Sequence, residues 1–155
     1  MKKNFRKGKY LISTDKSKLD IKVIQDYLSD SYWAKNRKLK TTKLTIKNSL
    51  CFGVYFINSP ASRFARRTQG GQIGFARVVT DYATFAYLAD VFILEEHRGK
   101  GLSKWLMEVI LNYGEVQNLR RWFLATRDAH GLYEKFGFTN LREPEKIMEI
   151  FRKNL

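Results

Sequence analysis

Apolar positions recur at two spacings along the chain. Leu19, Val23, Ile24, Tyr27 and Leu28 fall at helical intervals, and Ser17-Lys18-Leu19-Asp20 resembles a capping box, so a first helix is expected to run to about Ser31. Leu102, Trp105, Leu106, Val109, Ile110 and Tyr113 make a wider stripe of the same period, the strongest helix signal in the sequence. Leu50 to Asn58, Gln72 to Thr80 and Phe85 to Leu94 are instead dense in Val, Ile, Phe and Tyr and are parted by turn residues, as consecutive antiparallel strands would be. Lys9 to Ser13 and Trp122 to Ala125 read as shorter strands, and Leu39 to Ser49 as a second helix. Ala129, Leu132, Tyr133 and Phe136 define a short last helix, with Asp128 as N-cap and Gly137 as its stop, followed by a closing strand around Ile147 to Phe151. The connections include an aromatic loop at Tyr32 to Arg37, a basic mobile loop at Ser59 to Gly71 and a hairpin turn at Asp81 to Thr84. Residues 1–8 read as a frayed basic start to a single domain spanning 1–155.

Composition narrows the chemistry. The chain has 155 residues, 44% of them hydrophobic, enough for one sizeable core and too apolar for disorder. Its longest apolar run, Leu50 to Ile57, is far short of the roughly 20 residues that span a bilayer. No apolar stretch follows the basic start, so neither secretion nor a membrane partner is indicated and a cytoplasmic location is expected. One cysteine, Cys51, and two histidines, His97 and His130, cannot build a structural zinc site, and no metal is expected. Cys51 lies inside an apolar strand and reads as a small buried hydrophobe. The net charge of +14 favours a polyanion, either nucleic acid or a phosphorylated cofactor, but no nucleic-acid-binding motif accompanies it.

A strand, a glycine-rich turn and a helix form an anion site, because the glycines let a ligand approach the backbone and the first-turn amides lack intrahelical partners. That turn is Arg98-Gly99-Lys100-Gly101-Leu102-Ser103, and it has neither the P-loop ending nor the dinucleotide-binding order. The series Ala89-Asp90-Val91-Phe92-Ile93, then this turn, an amphipathic helix, a strand and Leu132-Tyr133-Glu134-Lys135-Phe136-Gly137-Phe138 resembles the GNAT N-acetyltransferases. The family's R/Q-x-x-G-x-G/A pattern matches at Arg98 and Gly101, with Ser103 in place of Gly or Ala.

The resemblance implies a mixed α/β acyl-CoA N-acyltransferase fold, its central, mostly antiparallel twisted sheet splayed at the cofactor site and flanked by helices. It implies acetyl-CoA as donor, with amides from Arg98, Gly99, Lys100, Gly101, Leu102 and Ser103 on the pyrophosphate. The backbone of Val91, Phe92 and Ile93 would pair with the pantetheine arm, and Thr126 stands where an Asn is common. An amine of a small molecule or peptide would attack the thioester directly through a tetrahedral intermediate, with the N–H of Phe92 or Ile93 as oxyanion donor and Tyr133 protonating the departing thiolate. Tyr133 also belongs to the apolar stripe of its helix and could serve packing alone. In relatives the base stands at positions that here are Phe85 and Tyr87; the nearest carboxylate is Asp90, which burial would raise toward a useful pKa or which could instead hold an arginine or the backbone. A water chain past Tyr87 and Asp81 would also serve. Tyr32, Trp33, Tyr82 and Tyr87 are candidates for the acceptor pocket, whereas Tyr27 and Phe85 read as core. The competing expectations are a GNAT-like protein that binds coenzyme A without catalysis and a basic nucleic-acid module, and a homodimer is permitted.

Overall fold

The three apolar runs in the middle of the chain become the centre of a sheet. In the computed structural model, which describes residues 2–57 and 71–152, β1 (Asn4–Lys7), β2 (Tyr10–Ser13), β3 (Leu50–Phe56), β4 (Gln72–Thr80), β5 (Phe85–Ile93) and β6 (Arg121–Phe123) lie side by side in chain order. All neighbours are antiparallel except β5 and β6, which are parallel. The chain groups into two compact units, Met1–Ala125 and Thr126–Leu155. The expected basic loop falls almost wholly at residues 58–70, outside the described residues.

Both faces of β3 are covered, which is why its sequence is apolar throughout rather than alternating. Successive strand residues point to opposite faces. Cys51 packs with Ile24 and Leu28 of α1 (Ile21–Asp30) and Ile46 of α2 (Leu39–Lys47), while Phe52 meets Tyr113 edge-on, ring centroids 5.5 Å apart, just past α3 (Leu102–Leu111). Leu106, Met107 and Ile110 of α3 are fully buried, as its wide stripe requires. Cys51 is buried, and burial pushes its thiol up to about 11, so it is the inert small hydrophobe expected.

Several boundaries differ from the sequence reading. The supposed frayed start contains β1, whose Phe5 stands opposite Ile12 of β2. Ser17 does not open α1; it lies in a separate 3-10 turn, Lys16–Lys18, capped by Asp15, and the N-cap of α1 is Asp20, whose Oδ1 accepts from the N–H groups of Lys22 and Val23. In the second unit α4 (His130–Tyr133) runs into a 3-10 turn, Glu134–Phe136, that stops at Gly137 with φ +84°, as expected. Its cap position is Ala129 rather than Asp128, and the Thr126 hydroxyl accepts from the Ala129 N–H. No strand forms at Ile147 to Phe151; a 3-10 turn, Pro144–Lys146, precedes residues that pair with no strand among the described residues, and Met148, Ile150 and Phe151 are exposed. The alternation there is apolar enough for a strand, but a strand is fixed by a neighbour's hydrogen bonds, which sequence does not show.

Candidate functional site

β5 is the strand on which the site is built. It pairs with β4 along its length, but with β6 only from Phe85 to Tyr87. From Leu88 to Ile93 its other edge pairs with no strand among the described residues, so the sheet is open there. The alternation of antiparallel hydrogen bonds decides which amides face that opening. The Leu94 N–H donates to the Ile73 carbonyl, making that pair a hydrogen-bonded one; Gly74 and Ile93 are then a non-hydrogen-bonded pair, and Phe75 and Phe92 a bonded one. The Phe92 N–H is therefore spent on β4, and of the two expected oxyanion donors only Ile93 points to the open edge, with Val91 sharing its direction.

Close approach of the strands at this point depends on Gly74. A Cβ there would stand 2.7 Å from the Phe92 carbonyl oxygen and 2.5 Å from the Ile93 side chain. One step further along, two residues of β5, Asp90 and Val91, oppose one residue of β4 in a β-bulge. Asp90 takes up the bulge with a left-handed φ of +52°, a conformation that aspartate tolerates better than most residues.

Asp90 is buried, and its carboxylate is fully engaged. Oδ2 accepts from Arg37 Nη1 and Arg77 Nε, each at 2.6 Å, and Oδ1 accepts from Trp33 Nε1 at 3.2 Å. Burial pushes its pKa upward, but the hydrogen bonds and charges of Arg37 and Arg77 outweigh it and hold the carboxyl below the usual range. The expectation of a base with a raised pKa is thus reversed, and of the two roles weighed for Asp90 the structure shows the one that holds arginines. Asp81 is also engaged. Its carboxylate accepts from the N–H groups of Ala83, Thr84 and Phe85 and from the Thr84 hydroxyl, which hold it far below the usual carboxylate range and close the β4–β5 turn.

The glycine turn follows at the end of β5. Gly99 and Gly101 adopt left-handed φ values of +73° and +75°, and a Cβ at either would meet nothing within 4 Å. Both glycines are needed for backbone conformation, and the space before them is open. Gly101 is the N-cap of α3 without a side-chain cap, and its carbonyl accepts the helix's first hydrogen bond, from the Trp105 N–H. The N–H groups of Leu102, Ser103 and Lys104 are thereby left for a ligand. The expected Arg98 amide is already engaged. Its N–H is spent on Glu95, and its side chain donates to the Ile93 carbonyl and, at 3.0 Å, to the Tyr27 hydroxyl. The Lys100 ammonium donates to the Glu96 carbonyl.

The aromatic candidates divide. Tyr27 stacks on Phe92 at 3.9 Å and lies 6.2 Å from Trp33, which Tyr32 meets edge-on, so a ladder of rings leads from the aromatic loop to the open part of β5. Tyr32 and Trp33 are 43% and 40% exposed. Tyr82 does not join them, because it occupies the β4–β5 turn, roughly 20 Å of strand from Phe92. Tyr87 lies on β5 beside Phe123 of β6, on the paired side of the splay. Tyr133 and Thr126 belong to the second unit, where Tyr133 is buried and packs against Phe138 at 5.9 Å.

Sequence reading missed three residues. Arg37 and Arg77 could have been sought once Asp90 was seen as a lone carboxylate in an apolar strand. Buried Gln72 joins α1 to β4 by accepting from the Asp20 N–H and donating to the Gly74 carbonyl, and nothing in its sequence setting marks it. Among the described residues no group of side chains could hold a metal ion, and no helix is long and apolar enough to cross a membrane.

Comparison with known proteins bears on the family and the fold. The sequence profile of the acetyltransferase (GNAT) domain matches residues 60–140. A protein of Gibberella zeae with a provisional acetyltransferase name is 33% identical over 150 residues, covering 90% of this chain and 85% of its own. The crystal structure of a GNAT-family protein from Xanthomonas campestris pv. campestris superposes with a TM-score of 0.83 at 46% identity, covering 94% of this chain and 95% of the other. A Clostridium acetobutylicum protein, solved with acetyl-CoA, shares the fold at a TM-score of 0.55 and 14% identity over 92% of this chain and 94% of its own. The chain belongs to the GNAT acetyltransferase family.

Proposed function

We propose that the protein transfers an acetyl group from acetyl-CoA to an amine of a small molecule or peptide. The observation that carries this reading is the open Gly99–Gly101 turn, with the Leu102, Ser103 and Lys104 amides beyond it, at the end of a β5 edge that from Leu88 to Ile93 pairs with no strand among the described residues. An extended pantetheine arm would bind to that edge as an added strand, and the pyrophosphate would rest on the amides and the positive end of α3. The relative solved with acetyl-CoA supports the choice of donor.

The thioester supplies an activated acetyl group. The Ile93 N–H would stabilise the negative charge that develops on its carbonyl oxygen as the amine nitrogen bonds to the carbonyl carbon. As the carbon–sulfur bond breaks, the thiolate would take a proton from Tyr133, the acid that the Leu132 to Phe138 motif suggests; the proton on the attacking nitrogen leaves to water. Asp90 and Asp81 are committed to structural hydrogen bonds, so neither is assigned as the base. Tyr32 and Trp33 would border the acceptor.

The test is thiol release from acetyl-CoA over a panel of simple amines, amino acids, polyamines, aminoglycosides and peptide N-termini, with coenzyme A binding followed by calorimetry. Turnover with one class identifies the acceptor. Binding without thiol release from any amine would turn the assignment to a non-catalytic coenzyme A protein. Gly101→Glu, which puts a carboxylate and a strained φ where the pyrophosphate would lie, is expected to abolish binding; unchanged affinity would exclude the turn as the site.

A further inference from the structure

The bulge on β5 is held from outside its own strand. The guanidiniums of Arg37 and Arg77 converge on one oxygen of Asp90, at 2.6 Å each, and the Trp33 indole takes the other. These partners are themselves anchored: Arg77 Nη1 donates to the Ser49 hydroxyl at 3.3 Å, and the Arg37 carbonyl accepts from Gln25 Nε2 at 2.7 Å. One carboxylate thereby joins α1, the aromatic loop, the residue before β3, β4 and β5. Asp90 is the single described residue within a strand, glycine excepted, that has a positive φ, and it lies three residues before Ile93. Such a conformation persists only where its surroundings over-determine it, and a bulge re-aims the backbone that follows.

We propose that Arg37, Arg77 and Trp33 are positioning residues: by clamping Asp90 in its left-handed conformation they fix the bulge and so aim the Val91 and Ile93 N–H groups along the open edge of β5. The inference rests on the acetyltransferase reading and adds to it a link between the two substrates. Trp33 is 40% exposed and borders the expected acceptor site, while its indole holds the residue that orients the donor strand. The clamp touches no reacting atom, so its loss affects the alignment of the thioester more than the grip on the pyrophosphate, which lies at the Gly99–Gly101 turn.

Arg37→Lys keeps the charge but not the geometry of the guanidinium, and Asp90→Asn keeps tolerance of the left-handed conformation but not the charge. Both are expected to lower kcat about tenfold or more while leaving the coenzyme A Kd within about threefold of wild type. In Arg37→Ala, added methylguanidine is expected to restore part of kcat. In ¹⁵N-labelled protein, the Val91 and Ile93 amide signals should occupy different positions in Arg37→Lys and in wild type, both carrying coenzyme A. A wild-type kcat in folded Arg37→Lys, or a loss confined to coenzyme A affinity, would overturn the clamp and leave the transferase reading standing. A wild-type protein that neither binds coenzyme A nor releases thiol would overturn both. If Asp90→Asn does not fold, Arg37→Lys and the amide signals decide the matter.

Discussion

At Asp90 the charge pattern and the backbone pull on one residue. A carboxylate buried alone would be expected to gain a proton, but two guanidiniums hold this one ionised. Its pKa is lower in the folded chain than in the unfolded one, so the native state binds fewer protons. The stabilisation is complete above the unfolded carboxylate value, about pH 4, and is lost as pH falls through the lower folded value. Urea unfolding between pH 7 and pH 3 should therefore show a steep acid loss in wild type. Asp90→Asn should be less stable at pH 7, by about 3 kcal/mol, with a shallower acid slope; equal slopes would show that Asp90 does not drive the loss. The site assignment makes its own demand on Tyr133. Tyr133→Phe removes the proposed acid and keeps the ring, so kcat should fall at least tenfold with coenzyme A affinity nearly unchanged; a wild-type rate would leave Tyr133 a packing role against Phe138. Sequence alone identified Asp90 as exceptional but left open whether it was a base of raised pKa or the holder of an arginine, because the arginines that decide it lie 53 and 13 residues away in the chain.

Among the elements, β5 shows most clearly what periodicity can reveal. Its apolar run placed it within two residues of its observed bounds, and the turn and helix after it were equally legible, since their signals are local: glycines at positive φ and an apolar stripe at helical spacing. Whether its far edge is paired or open is decided by where β6 ends; periodicity does not show that, and only the family resemblance implied a splay there. Gly74 shows the same limit. It reads as an ordinary small residue in a strand, yet the Phe92 carbonyl and Ile93 side chain occupy the place of its Cβ. Gly74→Ala should destabilise the protein by about 1–3 kcal/mol in chemical denaturation, because β4 must move from β5 at the bulge; an unaltered midpoint would show that the strands have room to spare. The segment from Ile147 to Phe151 fails in the opposite sense, having a strand's composition and no partner strand among the described residues.

For the whole molecule, charge is the dominant quantity. A net +14 raises the local concentration of any phosphorylated ligand, and salt screens that attraction over roughly 10 Å at 0.1 M. The coenzyme A Kd should weaken several-fold between 50 and 500 mM sodium chloride, and saturating coenzyme A should raise Tm at low salt by linkage. A Kd independent of salt would assign binding to the turn's amides alone. The sequence by itself determined the mixed α/β class, the order of elements from β2 to α4 and the glycine turn, because each follows from neighbours in the chain: the period of apolar residues, the torsional freedom of glycine and the unpaired amides of a helix start. Tertiary structure decided which β5 amide faces the opening, what Asp90 does and which aromatics gather near Phe92. Those depend on hydrogen-bond register and on charges brought together from distant segments, and folding alone creates that proximity.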